Sequence, residues 1–276
     1  MSTPPVLTAI ADGIGTITLN RPEARNALSK DMRPALAAAV TQMRDDPQVY
    51  AVILTGAGGA FCSGGDISGM LDSTRTGLVF RNNMRELHQW LPELVNMEKP
   101  VIAAVDGPAF GAGLSLALAA DFVLATRRAR FCAVFGRIGL VPDLGALHLL
   151  PRIIGLQKAK ELVFTARTVE AEEAKQLGMV FDIVDDGAAL TVAAQALAKR
   201  SNCMKCHAID KKKEAVAWNE VAAKLKGKPD AEARLIKHIT TGPKVKLEDG
   251  SEEQHPIIKT KDEGEIRNLV QWILSL

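Results

Sequence analysis

The sequence predicts an α/β domain with a largely parallel sheet, followed by a helical region of different character. Short apolar runs rich in β-branched residues, at 49–55 and 101–105, alternate with segments of helical periodicity. Two glycine-rich turns, at 56–69 and 107–113, each follow one of these strands. Near residues 185–187 the glycine-rich, apolar character of the chain ends, and after Ala198 the chain is lysine-rich and helical, so we place a domain boundary near residues 186–190.

Each predicted element has its own local signal. Residues 14–19 alternate between polar and apolar side chains and predict a strand. Ser29 is a good N-cap for a helix that runs to about residue 45. A helical pattern at 81–98 ends before Pro100, and residues 122–125 form another short apolar strand.

Composition and charge exclude several classes of protein. The 276 residues are 47% hydrophobic and 24% charged, which is typical of a globular chain. A net charge of +2, with no basic block interleaved with aromatic residues, argues against a nucleic-acid partner. No apolar run reaches the length of a membrane span, and no secretory signal is visible, so we expect a cytoplasmic location.

The two glycine-rich turns are candidates for a binding site. A turn between a strand and a helix leaves backbone N–H groups without partners, and a helix N-terminus favours negative charge. Two such turns aimed at one point would form an oxyanion hole for a thioester oxygen that becomes an enolate. Glycine-rich turns also occur as plain turns, so both interpretations stay open on this physics alone.

Five segments together carry a resemblance to a known family. In order and spacing they resemble motifs of the crotonase (enoyl-CoA hydratase/isomerase) superfamily, over roughly residues 6–185. The segments are NRPEARNAL (20–28), AFCSGGDI (60–67), PVIAAVDG with the following AFGAG (100–113), GLVPD (139–143) and residues 171–180. The resemblance implies a crotonase-like (ββα-superhelix) α/β domain over 1–187 that acts on an acyl-CoA thioester.

The resemblance also implies roles for individual residues. The oxyanion donors would be the backbone N–H groups of Ser63 and Ala112, and Asp66 would hold the first oxyanion loop. The CoA moiety would be contacted, mostly through backbone, by Ala24, Arg25, Asn26, Ala27 and Leu28. Arg25 would reach a CoA phosphate, or else is simply a solvated side chain.

The acids depart from the hydratase pattern. The two glutamates with which family hydratases position a water fall here at Ser115 and Phe135, neither of which is a carboxylate. One acid remains, Asp143, at the place used by the isomerase and phenylacetate-pathway branches. A single carboxylate suffices for an allylic double-bond shift, whereas hydration needs both a base and an acid. Asp143 is also placed to act as a helix N-cap after Pro142, and the two roles are compatible.

The resemblance stops before the helices that close the acyl pocket and build the trimer in this family. We therefore expect a crotonase-type trimer to be disturbed.

Cys203 and Cys206 begin a second motif, Cys-Met-Lys-Cys-His, which ends at His207. This spacing is a signature of covalent c-type haem attachment, with the histidine on the iron. Zinc bound by the same side chains and a distant fourth ligand is the alternative.

The flanking helices resemble those of small mono-haem cytochromes c. The similarity runs over about residues 190–276 and includes 218–227 and 266–275. It implies an all-α cytochrome c-like domain at 188–276. The family's sixth ligand, a methionine, falls at His255, and His238 is the competing ligand. A lysine cluster at 211–213 would steer an acidic redox protein partner or is a solvated face.

The two resemblances together predict an enoyl-CoA isomerase, with Asp143 as acid and base, fused to an electron-transfer haem module. The alternative is an electron-transfer cytochrome c with an inert crotonase domain. The predicted compartments conflict, because CoA thioesters are cytoplasmic whereas covalent haem attachment in bacteria normally requires export.

Overall fold

The computed structural model describes residues 3–67, 76–200, 218–225, 228–242, 244–246, 252–254 and 263–275. It divides into two compact units, Met1–Ala198 (unit 1) and Lys199–Leu276 (unit 2).

Unit 1 is built on a six-stranded sheet. Its described strands, in chain order, are β1 (Val6–Ala11), β2 (Ile14–Leu19), β3 (Ala51–Gly56), β4 (Val101–Val105), β5 (Pro108–Phe110), β6 (Phe122–Thr126), β7 (Arg130–Cys132), β8 (Thr168–Glu170) and β9 (Asp182–Val184). The large sheet has the order β1-β2-β3-β4-β6-β9, and only the β1–β2 pair is antiparallel. A smaller sheet has the order β5-β7-β8. The predicted α/β class is therefore confirmed.

The described α-helices pack on these strands, and the last helix ends two residues beyond Ala198. They are α1 (Met32–Asp45), α2 (Gly77–Val95), α3 (Ala112–Leu118), α4 (Ala146–Ile154), α5 (Leu156–Thr165), α6 (Ala171–Gln176) and α7 (Gly187–Arg200). Helix α1 begins at Met32, and Ser29 contributes to its start by accepting a hydrogen bond from the Met32 N–H at 3.2 Å.

The central strands are apolar on both faces of the sheet. Since successive side chains of a strand point to opposite faces, Val52 and Leu54 of β3 belong to one core and Ile53 to another. The first core is filled by α1, α2 and α3, which contribute residues such as Leu36 and Leu94. The second core is covered by α7. The continuous apolar runs of β3 and β4 follow from this double coverage.

Helix α7 places the division between the units later in the chain than the sequence analysis did. Its apolar side chains, Leu190, Ala194, Leu197 and Ala198, pack with Ile53 and other residues of the sheet. Residues 190–198, which the sequence analysis assigned to a second domain, thus close the far face of the first. The compact units divide after Ala198, whereas the predicted boundary was 187/188.

Unit 2 combines helices with a hairpin. Its described elements are α8 (Trp218–Leu225), α9 (Ala231–Thr241), α10 (Glu263–Ser275), β10 (Lys244–Lys246) and β11 (Glu252–Gln254), and the two strands pair antiparallel. The core residues Leu235 and Ile239 of α9 pack with Ile266, Val270 and Ile273 of α10. The hairpin corrects the prediction of an all-α unit. Among the described residues of the chain, no helix is long and apolar enough to cross a membrane.

The packing of α7 leads to a prediction about stability. Leu190 is 3% exposed in the second core, whereas Val192 on the same helix is 66% exposed. Leu190→Ala should lower the free energy of unfolding of unit 1 by about 3 kcal/mol, because it removes buried methyl groups and leaves a cavity. Val192→Ala is the matched control and should change it by less than about 0.5 kcal/mol. Denaturant unfolding followed by a unit 1 probe measures both; equal effects would mean that α7 does not cover the sheet.

Candidate active site

Two chain segments are held side by side at the carboxyl edge of the sheet. The Cys62 N–H donates to the Pro108 carbonyl at 3.0 Å, and the Phe110 N–H donates to the Cys62 carbonyl at 2.9 Å. This short parallel pairing joins the Cys62 segment to the β5 edge of the smaller sheet, and it brings the two predicted glycine-rich turns together. A Cβ atom at Gly113 would overlap the Cys62 carbonyl oxygen, so glycine is needed there for α3 to lie this close.

Gly64 has a backbone conformation that requires glycine. Its φ is +104°, and a Cβ there would lie 2.9 Å from the Phe110 carbonyl oxygen and 3.5 Å from the Ala112 nitrogen. The first turn thus passes directly over the N-terminus of α3.

The N–H donors of the first turn differ from the prediction. The Ser63 N–H donates to the Arg25 carbonyl at 2.9 Å, and the Ser63 hydroxyl donates to the Ala24 carbonyl at 3.3 Å. Because both hydrogens are used within the protein, Ser63 does not offer an oxyanion donor in this conformation. The correction has a simple cause: the 24–25 backbone occupies the side toward which Ser63 points.

In the first turn, the N–H group that is available to a ligand is that of Gly65. Leu28 pairs with the two neighbours of Gly65. The Leu28 N–H donates to the Gly64 carbonyl at 2.8 Å, and the Asp66 N–H donates to the Leu28 carbonyl at 3.4 Å. In this extended pairing the N–H of the middle residue points away from the partner strand. Among the described residues, the Gly65 N–H has no acceptor, and Gly65 lines the pocket.

Ala112 has a second N–H group without an acceptor among the described residues, and its role as an oxyanion donor stays a prediction. It is the first residue of α3, so its N–H has no carbonyl one turn earlier in the helix. The neighbouring Gly111 N–H is already held by the Cys132 carbonyl at 2.8 Å, whereas that of Ala112 meets no acceptor among the described residues. Both Gly65 and Ala112 line the same pocket.

The pocket has a volume of about 100 Å³ and a mainly apolar wall. Residues from both turns, α1, α2 and the segment before α4 line it: Leu28, Arg33, Ser63, Gly64, Gly65, Asp66, Ile67, Met84, Leu87, Gly111, Ala112, Val134, Phe135, Ile138, Leu140, Asp143 and Leu144. Phe135, at one of the two hydratase glutamate places, is 5% exposed and forms part of the wall. Asp143 is half-buried, with its Oδ1 atom fully buried.

Asp143 begins a tight, strained loop before α4. Its carbonyl accepts hydrogen bonds from the Ala146 N–H at 3.0 Å and from the Ser115 hydroxyl at 3.0 Å. Leu144 follows it with a φ of +47°, a left-handed conformation that costs a non-glycine residue roughly 1–3 kcal/mol. Leu144 is fully buried, and this burial helps to offset the strain.

Asp66 is the other described carboxylate of the pocket, and it has a structural connection. Its Oδ2 accepts a hydrogen bond at 3.1 Å from Arg21, whose guanidinium also donates to the Ala27 carbonyl at 3.2 Å. Arg21 therefore connects the first turn to the 24–28 segment, and the role of Asp66 in holding this loop stays a prediction.

The predicted CoA segment divides into accessible and buried positions. Ala24 is half-buried and Arg25 is exposed, while Ala27 and Leu28 are mostly buried and Leu28 lines the pocket. Asn26 is fully buried, which corrects its assignment as a ligand contact. Its amide donates to the Ala57 and Ala60 carbonyls at 2.9 and 2.7 Å, and its Oδ1 accepts from the Arg21 N–H at 2.8 Å.

Cys62 lies beneath the pocket and does not serve as a nucleophile. Burial raises the pKa of its thiol to about 12, although the Gly64 N–H near the sulfur partly opposes this shift. The thiol stays protonated at neutral pH and packs as a small apolar side chain.

The predicted haem ligands lie outside the described residues: Cys203, Cys206, His207 and His255. The competing ligand His238 is half-buried in α9. Within the described ranges, His, Cys, Asp and Glu side chains form no group of three that could hold a metal ion.

Three features in and around the pocket were missed in the sequence analysis. The Gly65 N–H was missed because backbone direction depends on the neighbouring segment. Ser115 was mentioned only because it stands where hydratases have a glutamate, and the contacts of its hydroxyl were not predicted. Arg33 lies one residue into α1 and lines the pocket, and its position soon after Leu28 is the only signal that the sequence offers.

Comparisons with known proteins agree with this architecture. A family model described as enoyl-CoA hydratase/isomerase matches residues 9–253. This match runs past the 6–185 resemblance and through the Cys203–His207 motif. A probable enoyl-CoA hydratase of Rhodobacter capsulatus is 42% identical over 178 residues, which are 64% of this chain and 67% of that protein. The 1,2-epoxyphenylacetyl-CoA isomerase of Escherichia coli is 38% identical over 196 residues, 70% of this chain and 74% of that protein.

Solved structures show the same relationship. The crystal structure of an enoyl-CoA hydratase from Bacillus anthracis has a TM-score of 0.68 at 31% identity, covering 72% of this chain and 77% of that one. An enoyl-CoA hydratase/isomerase structure from Mycobacterium abscessus has a TM-score of 0.68 at 35% identity, covering 71% and 76%. The paired glycine turns, the pocket they form and these matches together show that the chain belongs to the enoyl-CoA hydratase/isomerase family of the crotonase superfamily.

Proposed function

We propose that unit 1 is an enoyl-CoA isomerase that moves a double bond along an acyl-CoA chain, with Asp143 as the only acid and base. The observation that carries this proposal is the position of Asp143 in the same pocket as the N–H donors of Gly65 and Ala112.

The other pocket residues favour isomerisation over hydration. Hydration needs one group to activate a water and another to protonate carbon. Ser115 and Phe135 stand at the glutamate places, and the Asp66 carboxylate is bound by Arg21. An apolar wall at Phe135 gives a water no polar partner at that point.

The proposed reaction conserves atoms and charge. The Asp143 carboxylate takes a proton from C2 of a 3-enoyl-CoA, and the electron pair moves into the thioester carbonyl. The Gly65 and Ala112 N–H groups stabilise the resulting dienolate oxygen. The carbonyl then re-forms, a double bond forms between C2 and C3, and Asp143 returns its proton to C4. Neither water nor a redox cofactor is consumed.

The Escherichia coli relative suggests a second substrate. As its name states, that relative isomerises 1,2-epoxyphenylacetyl-CoA, and it is 38% identical to this chain. The epoxide isomerisation would use the same pocket and N–H donors, so both thioesters belong in the substrate panel.

The assignment of Asp143 gives a prediction about activity. Asp143→Asn keeps the size of the side chain but removes the base, so kcat for a 3-enoyl-CoA should fall by about 10² to 10⁴. KM should change little, because the N–H donors and the pocket wall remain. Steady-state kinetics with both thioesters measures this.

Asp185→Asn is the control, since Asp185 is exposed and paired with Arg127 outside the pocket. Full activity of Asp143→Asn would contradict the role of this residue. Measurable addition of water to a 2-enoyl-CoA by the native protein would instead support a hydratase.

We also propose that residues 199–276 bind haem covalently through Cys203 and Cys206, with His207 and His255 as iron ligands. The support is the Cys-x-x-Cys-His spacing, together with the separate compactness of unit 2 and its own helical core. The two thiols and the imidazole also suit zinc. The family match through residue 253 supports a third description, in which this segment is part of the crotonase fold.

Co-expression with a haem-maturation system separates these descriptions. We expect a covalent haem with a low-spin spectrum in both oxidation states, because two imidazoles are strong axial ligands. Its potential should be lower than with a methionine ligand. His255→Ala should change the spin state and the potential, and His238→Ala is the matched control. Chain without haem, or stoichiometric zinc by metal analysis, would rule the proposal out.

A further inference from the structure

We propose that Ser115 is a positioning residue that fixes Asp143 over the substrate. This inference rests on the proposed isomerase function and deepens it. Ser115 stands where family hydratases have a catalytic glutamate, and its hydroxyl donates a hydrogen bond to the Asp143 carbonyl.

The hydroxyl connects the two halves of the site. Ser115 lies in the second turn of α3 and is fully buried. Its Oγ lies 3.0 Å from the Asp143 carbonyl oxygen and 3.3 Å from the Gly111 carbonyl oxygen. A serine within a helix commonly donates to the carbonyl four residues earlier, which is that of Gly111. Here the nearer acceptor is Asp143, so the single hydroxyl proton is directed across the site.

The Asp143 loop needs such a tether. It turns through a left-handed Leu144 and then Gly145, with φ values of +47° and +79°. Strained backbone persists only where surrounding contacts hold it. The Asp143 carbonyl accepts two such hydrogen bonds, one from the Ala146 N–H at the start of α4 and one from the Ser115 hydroxyl in α3.

The tether sets the distance between base and oxyanion donor. Ala112 directly follows Gly111 at the start of α3, and Ser115 is on the same helix. The Ser115 hydrogen bond therefore fixes the Asp143 backbone relative to the helix that carries the second N–H donor. Proton transfer is sensitive to this placement, since a shift of about 1 Å can cost a hundredfold in rate. Binding of the CoA thioester depends on it less.

Three substitutions at one position separate hydrogen bonding from packing. Ser115→Ala removes the hydroxyl, Ser115→Cys keeps its approximate size with a weak donor, and Ser115→Thr keeps the donor. With a 3-enoyl-CoA, we expect Ala and Cys to lower kcat by about 10-fold or more, and KM to change by less than about 3-fold. Thr should recover most of the native kcat.

Thr55→Val is the matched control. The Thr55 hydroxyl also donates to a backbone carbonyl, that of Ala104 at 3.0 Å, but it lies outside the pocket. Its loss should lower the melting temperature without lowering kcat. A thermal melt of every variant shows which ones fold.

Hydrogen exchange gives a readout that does not depend on activity. The Ala146 N–H donates to the same Asp143 carbonyl, so a released loop should exchange this amide faster. We expect faster exchange in the Ala and Cys variants and native exchange in the Thr variant.

The outcomes distinguish the two proposals. If the native protein and Asp143→Asn are both inactive on every thioester, the isomerase proposal fails, and Ala146 exchange still decides whether Ser115 holds the loop. If the native protein is active, native kcat in Ser115→Ala overturns the positioning role. Equal loss in the Ala, Cys and Thr variants, with unchanged Ala146 exchange, overturns it as well, because packing alone would then explain the effect.

Discussion

The candidate site depends on one close approach between two backbones. The segment at Cys62 runs alongside β5, and the start of α3 lies against the Cys62 carbonyl because Gly113 has no side chain there. A side chain at this point would push α3 away from the first turn. The Gly65 and Ala112 N–H groups would then no longer line the same pocket. The glycine-rich composition of both turns is thus a consequence of how near two main chains must come to line one pocket.

This approach is held from both sides of the sheet. One face packs on α1, α2 and α3, and the other is closed by α7 through Leu190 and Ala194. Helices on both faces leave the strands rigid, so their carboxyl ends hold the loops in fixed positions. The sequence pattern predicted β2, β3, β4 and β6, whose apolar runs are bounded by turn residues, but it did not predict β1 or the short strands β5, β7, β8 and β9. It did not predict that α7 belongs to this sheet, because the boundary was placed before this helix, whereas the lysine-rich sequence begins only after Ala198.

The site was predicted only as far as its segments. Motif order identified the two turns, Ala112 and Asp143, all of which line one pocket. Motif order cannot say which peptide of an extended segment faces the ligand. Ser63 and Gly65 are two residues apart and thus have parallel N–H directions in a regular strand, but the positive φ of Gly64 breaks that regularity. The Arg25 carbonyl then takes the Ser63 N–H. Asn26 was misjudged for a related reason. A polar side chain in a binding motif can bind backbone carbonyls of the protein and not the ligand, as the Asn26 amide does.

A serine at a place where relatives have a glutamate changes the chemistry of the pocket, and its hydroxyl can also stabilise a neighbouring loop. At position 115 a serine is short enough to stay buried in α3 and polar enough to need a partner, because an unsatisfied buried hydroxyl would cost about 1–3 kcal/mol. The Asp143 carbonyl meets that need at 3.0 Å. The same hydrogen bond helps to stabilise the left-handed Leu144, whose strain would otherwise favour a loop with Asp143 turned elsewhere. The buried hydroxyl and the strained loop therefore stabilise each other, and the geometry of the single remaining acid follows from this pairing.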